Sequence, residues 1–149
     1  KPLPYVECPK PFILADGERM VKSDRQNWTA ELNWVDLVCE VTGPSNTELA
    51  LFISGRFYAN SAGAYSATLP VFIAFVTPDD EVISRMTRNI SVSLKADTSG
   101  DFVSFKQMVN GLNVQLDAIS NGMQVIVGFE LSAEELASNI SEKKRRLGY

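Results

Sequence analysis

Period-two alternation of apolar and polar residues, turn dipeptides between the alternating segments, and one helical period near the C-terminal end predict a mainly β chain. The expected architecture is an immunoglobulin-like antiparallel β-sandwich with a short C-terminal helix. Three units are expected: an extended Pro-rich arm over 1–11, a β-sandwich over 12–131, and a helix and tail over 132–149. The chain has 149 residues, 45% apolar and 21% charged. That supports one real core and is too hydrophobic for a disordered chain.

The elements follow in order. Pro2, Pro4, Pro9 and Pro11 favour an extended arm that joins a sheet only at an edge. Phe12 to Ala15 is a short apolar run closed by the turn dipeptide Asp16-Gly17. Glu18 to Lys22 reads as a returning strand or part of a loop. From Thr29, alternation runs through Ala30, Leu32 and Trp34, then changes phase to Val35, Leu37, Cys39 and Val41. A one-residue phase change near Trp34-Val35 predicts a β-bulge.

After a turn at Gly43-Pro44-Ser45-Asn46, Leu49, Leu51, Ile53 and Phe57 alternate around Gly55, and Asn60–Ser66 reads as a small-residue loop. Leu69–Val76 is nearly continuously apolar, the pattern of a strand covered on both faces, with Pro70 marking an edge or bulge. Thr77-Pro78-Asp79-Asp80 is the next turn, and Ile90, Val92 and Leu94 form a half-buried strand. Leu112, Val114 and Leu116 alternate, and Asn121-Gly122 predicts a hairpin into Met123–Leu131. Ser132 and Glu135 fit a capping box, with Leu131 and Leu136 at staple positions. Leu136, Ile140 and Leu147 then form a narrow apolar stripe at helical spacing.

Charge and cysteines bound the function. Fourteen basic residues stand against 18 acidic ones, a net charge of −4. An acidic chain repels phosphate backbones, so no nucleic-acid partner is expected. Lys143, Lys144, Arg145 and Arg146 concentrate four of the cations at one end, leaving 10 basic against 18 acidic residues over the first 142. The tetrad reads as a solvated helix end that complements the helix dipole, or as a contact with a partner or an anionic membrane surface. Cys8 and Cys39 read as a disulfide pinning the lead-in to an early strand, or as two buried free thiols. A disulfide implies an oxidising compartment, a periplasm or the cell exterior. The residues after Lys1 form no apolar leader, so an exported protein would be met here in its mature form. Glu7 spoils a lipobox at Cys8, so any lipid anchor is expected upstream of Lys1.

Three segments taken together carry a resemblance: Cys8-Pro9 with Ile13-Leu14-Ala15-Asp16, Leu69-Pro70-Val71-Phe72-Ile73-Ala74, and Gly128-Phe129-Glu130-Leu131 running into Glu134-Glu135-Leu136-Ala137. In that order the chain resembles a family of small alphaproteobacterial envelope proteins of the putative-lipoprotein kind. The resemblance implies export and a periplasmic domain, often lipid-anchored, and transfers no catalytic residue.

The chain contains no His, which excludes Ser-His-Asp and Cys-His catalysis and every His-ligated metal. Asp79, Asp80 and Glu81 lack the ligand spacing of a calcium loop, and Glu134 and Glu135 are explained by the capping box. The glycines Gly55, Gly63, Gly100 and Gly111 are isolated, so no phosphate-binding loop is present. Trp34 is expected in the core, and Trp28 stands between core and surface. Phe57, Tyr58 and Tyr65 flank the Asn60–Ser66 loop either as a contact surface or as packed rings. No enzyme activity and no cofactor are expected. The expected function is a non-enzymatic periplasmic accessory module supporting a membrane-associated protein complex. Its contact residues are expected to be Pro2, Pro4 and Tyr5 of the arm and Lys143, Lys144, Arg145 and Arg146 of the helix. The alternative is a carrier or sensor for a small apolar ligand held between the sheets.

Overall fold

A computed structural model of the chain describes residues 6–23 and 26–148. Among the described residues eight strands and two helices succeed one another: β1 (Phe12–Ile13), β2 (Arg19–Lys22), β3 (Trp28–Val41), β4 (Asn46–Ala59), β5 (Gly63–Val76), β6 (Val82–Ala96), β7 (Phe102–Gln115), α1 (Leu116–Ser120), β8 (Gln124–Phe129) and α2 (Ala133–Arg146). They form two four-stranded sheets, ordered β1-β8-β5-β6 and β2-β3-β4-β7. All pairings are antiparallel except β1 with β8. The chain is therefore mainly β, a sandwich closed by one C-terminal helix.

The core lies between the sheets. Leu69, Val71, Ile73 and Phe75 of β5 and Val125, Val127 and Phe129 of β8 pack in one cluster with Ala30, Leu32, Leu37, Leu49, Leu51, Ile53 and Phe57 of β3 and β4. These are alternate residues on each strand, which is why one face is apolar. Gly55 faces inward, and a Cβ there would meet the Glu31 carbonyl oxygen at 2.1 Å and the Phe105 ring at 2.4 Å. The interruption in the β4 pattern is thus the space that Phe105 occupies.

The structure departs from the sequence expectation at four places. First, five strands run to 14 or 15 residues each, longer than most of the alternating segments read from the sequence. Most of the expected Asn60–Ser66 loop is strand, since β5 begins at Gly63. Second, Pro70 lies within central strand β5 and not at a sheet edge. β8 pairs with β5 only as far as Val71↔Phe129, and the Pro70 carbonyl accepts the Glu130 N–H at 2.8 Å. The proline nitrogen points to the same side, past the end of the β8 ladder, where no donor is needed. Third, Asn121-Gly122 does not close a hairpin. β7 and β8 belong to different sheets, and α1 carries the chain across the end of the sandwich with Ile119 buried. Asn121-Gly122 ends that helical turn instead, with Gly122 at φ +90°. Fourth, the bulge lies between Leu32 and Trp34, one step earlier than the apolar pattern places it.

Candidate functional site

The earlier bulge turns Trp34 outward. β3 alternates inward up to Leu32; the extra residue resets the phase, so Val35 and Leu37 point in while Trp34, Asp36 and Val38 point out. Trp34 is 51% exposed, which corrects its expected core position, and Trp28 is the buried tryptophan at 2%. Register then builds a surface from three strands. Trp34 stands opposite Ser54, which stands opposite Lys106; Asp36 stands opposite Phe52, which stands opposite Met108; Val38 stands opposite Ala50. Diagonal neighbours on one face lie within reach of large side chains, so Trp34, Phe52 and Met108 converge. They line a shallow depression of about 660 Å³ with Ser54 and Lys106. Val38 and Met108 are as exposed as Trp34.

Two further rows extend the face. Tyr58 and Phe102 stand opposite each other with ring centroids 5.7 Å apart, and the Arg56 guanidinium lies 4.8 Å from the Phe102 centroid. Tyr58 donates to Glu31 Oε2 at 3.2 Å. The outer face of β3-β4-β7 therefore carries aromatic rings, a methionine and an arginine, bordered by Asp36, Lys106 and Glu31. That composition distinguishes protein interfaces from ordinary surface.

Pro2, Pro4 and Tyr5 are outside the described residues. Lys143, Lys144, Arg145 and Arg146 occupy the last turn of α2. Lys143 Nζ approaches Asp16 Oδ1 at 3.8 Å, and Arg145 binds Glu142 through two hydrogen bonds, of 2.6 and 3.1 Å. The hydrogen bond from Arg145 is the main cause that holds the Glu142 carboxyl below the usual carboxylate range, and the same bond raises Arg145. The Asn60–Ser66 region is not an open aromatic surface. Phe57 is fully buried against Trp28, centroids 5.0 Å apart, and Tyr65 donates to the Ser61 carbonyl at 2.8 Å.

The capping box is formed as expected: Ser132 Oγ accepts from the Glu135 N–H and Glu135 Oε1 from the Ser132 N–H, both at 3.1 Å. The apolar stripe, however, does not dock the helix. Leu136, Ile140 and Leu147 are 41%, 36% and 65% exposed, and the buried residue of α2 is Asn139. Its amide donates to the Asp16 carbonyl at 2.9 Å and the Arg19 carbonyl at 2.6 Å. Both partners are acceptors, which fixes the amide orientation. Lys22 adds an ion pair to Glu135 at 3.4 Å.

Cys8 and Cys39 are joined as a disulfide, Cα atoms 5.6 Å apart, tying the lead-in of β1 to β3. Among the described residues no helix is long and apolar enough to cross a membrane, and no group of three potential metal ligands converges. No protein-family model, curated protein or solved structure matches the chain.

Proposed function

We propose that this protein is a non-enzymatic accessory module of the periplasm, an immunoglobulin-like scaffold that holds a membrane-associated protein partner on the outer face of β3-β4-β7. One observation carries the reading: Trp34, Phe52 and Met108 converge in an exposed depression on rigid strands, where a soluble monomer would ordinarily present polar side chains. The partner chemistry follows from the composition. Tryptophan and arginine dominate the energetics of protein interfaces, and the mixed-sign rim of Asp36, Lys106 and Glu31 suits a polypeptide rather than a polyanion. The disulfide supports an oxidising compartment. The reading agrees with the resemblance to alphaproteobacterial envelope proteins. Its test is affinity capture of the tagged protein from its own membranes at native expression. A stoichiometric set of complex subunits, lost from a Trp34→Ala/Met108→Ala variant, is the expected result. Recovery as a free monomer, or capture undiminished by the double variant, overturns it.

A second observation favours the ligand carrier. A cleft of about 540 Å³ opens between the sheets along the β6–β7 edge, lined by Phe75, Met86, Leu112, Val114 and Ala118 among others. Its size is in the range of small-molecule sites. Native mass spectrometry of the protein purified from its own cells would show a co-purified apolar molecule if this cleft is the working site.

A further inference from the structure

We infer that α2 docks the domain onto an anionic lipid surface, and that the exposed apolar stripe and the basic tetrad are two halves of one contact. The inference extends the envelope reading to a second surface, and the two can fail separately because vesicle binding is measured without any protein partner.

The geometry of the helix carries it. A helix resting on a sandwich ordinarily buries its apolar stripe. Here the sandwich holds α2 by polar groups, Asn139 on the Asp16 and Arg19 carbonyls and Glu135 on Lys22, and the stripe is left open. At about 100° per residue, Leu136, Ile140, Lys143 and Leu147 fall within an arc of about 60°, with Lys144 about 40° beyond one end and the exposed Arg146 about 60° beyond the other, two turns past the docked Asn139. Ile140 and Leu147 line a shallow depression of about 340 Å³ with Asp16, Lys143 and Lys144. Short apolar side chains with lysine and arginine at the edges of the stripe are what an in-plane interfacial helix needs. The apolar atoms enter the acyl boundary while the long cationic stems reach back to the headgroups.

Charge complementarity identifies the occupant. The first 142 residues hold 10 basic against 18 acidic residues, and all four remaining cations lie in the last turn of α2. An anionic surface is repelled by the rest of the domain and attracted at this one point, so attraction also fixes orientation. Lys144 and Arg146 make no ion pair among the described residues. The apolar stripe favours a bilayer over a soluble polyanion, which would use only the charges.

The test is co-sedimentation of the intact, oxidised protein with vesicles of pure phosphatidylcholine, and with vesicles of roughly one part phosphatidylglycerol to two parts phosphatidylcholine. Binding is expected on the anionic vesicles alone and should weaken as salt is added. A K144Q/R146Q variant should partition about 25-fold more weakly, about fivefold for each cation near the surface. Leu147→Gln should weaken binding to the same vesicles while leaving its salt dependence intact. Unchanged far-UV circular dichroism and melting would show that the exposed substitutions leave the fold alone. Equal binding to neutral vesicles, absence of binding to both, or binding unchanged in K144Q/R146Q overturns the inference. So does retention on heparin without retention on vesicles, because a soluble polyanion would then satisfy the site.

Discussion

Six positions separate Trp28 from Trp34, and one strand gives them opposite fates. Equal parity would put both on the same face; the extra residue between Leu32 and Trp34 reverses the second. Trp28 packs on Phe57 and donates its indole N–H to Gln26 Oε1 at 2.7 Å, whereas Trp34 is half exposed. Trp28→Ala should therefore cost about 3–5 kcal/mol, and Trp34→Ala no more than about 0.5 kcal/mol, read from urea unfolding midpoints. Acrylamide quenching gives the same contrast spectroscopically: with Trp28→Phe the remaining fluorescence should be readily quenched, and with Trp34→Phe it should be protected. The sequence showed that a phase change exists but not where it falls, because Leu32, Trp34 and Val35 are all apolar. The Trp34 surface was hidden for that reason. Phe52 was hidden likewise, flanked by the inward Leu51 and Ile53. Thr47 is a second residue-scale case. It is fully buried opposite Val114, and its Oγ1 has no hydrogen-bond partner among the described residues. Replacing it with the isosteric Val removes an unsatisfied hydroxyl, so Thr47→Val should raise stability by about 1–2 kcal/mol. A loss of stability on that substitution would mean that the hydroxyl has a partner in solution.

At the scale of elements, most strands were legible where one face is buried and the other wet, as at Ile90–Leu94, because period two survives there. The helix start was legible too, since a capping box depends on residues three apart. What the sequence could not supply was the side on which α2 rests. The stripe of Leu136, Ile140 and Leu147 points to apolar docking, but the carbonyls of Asp16 and Arg19 become acceptors only after the Asp16-Gly17 turn has folded, with Asp16 at φ 67°. Asn139 reaches across more than a hundred residues of chain to meet them. Its amide is also the donor pair that those two carbonyls share. Asn139→Ala should cost about 2 kcal/mol and release α2 before the sandwich opens. Hydrogen exchange should then show α2 amides losing protection while those of β5 and β8 keep theirs. Equal loss across both sheets would make α2 part of the global cooperative unit instead. The hairpin expected at Asn121-Gly122 failed for a related reason. A turn dipeptide marks a reversal but not which sheet the next strand joins, and β8 is drawn across to β5 by the burial of Val125, Val127 and Phe129.

For the whole molecule, the Cys8–Cys39 disulfide couples stability, edge protection and compartment. β2 pairs with β3 only from Trp28 to Glu31, with one further backbone bond from the Leu32 N–H to the Glu18 carbonyl. Among the described residues the outer edge of β3 beyond that point has no strand neighbour, and the lead-in is fastened beside it at Cys39. An uncovered edge of that length is a template for pairing with another chain. Closing a loop with a sequence separation of 31 stabilises the fold by about 3.5–4 kcal/mol on the chain-entropy model. A Cys8→Ser/Cys39→Ser variant should accordingly unfold at a urea concentration lower by about 2 M, taking a slope of about 2 kcal/mol/M for a domain of this size. It should also self-associate as concentration rises, which sedimentation velocity would detect. The two effects separate the roles of the bond. A lowered midpoint with a strictly monomeric variant would make the disulfide an entropic staple and nothing more. A lowered midpoint together with association would make the lead-in a guard of the β3 edge, because loss of loop constraint alone does not create a pairing surface. In either case the domain in a reducing compartment would lose much of the stability that a marginal fold of this size possesses. On the proposed periplasmic reading, export and folding would then be one requirement, set by two cysteines.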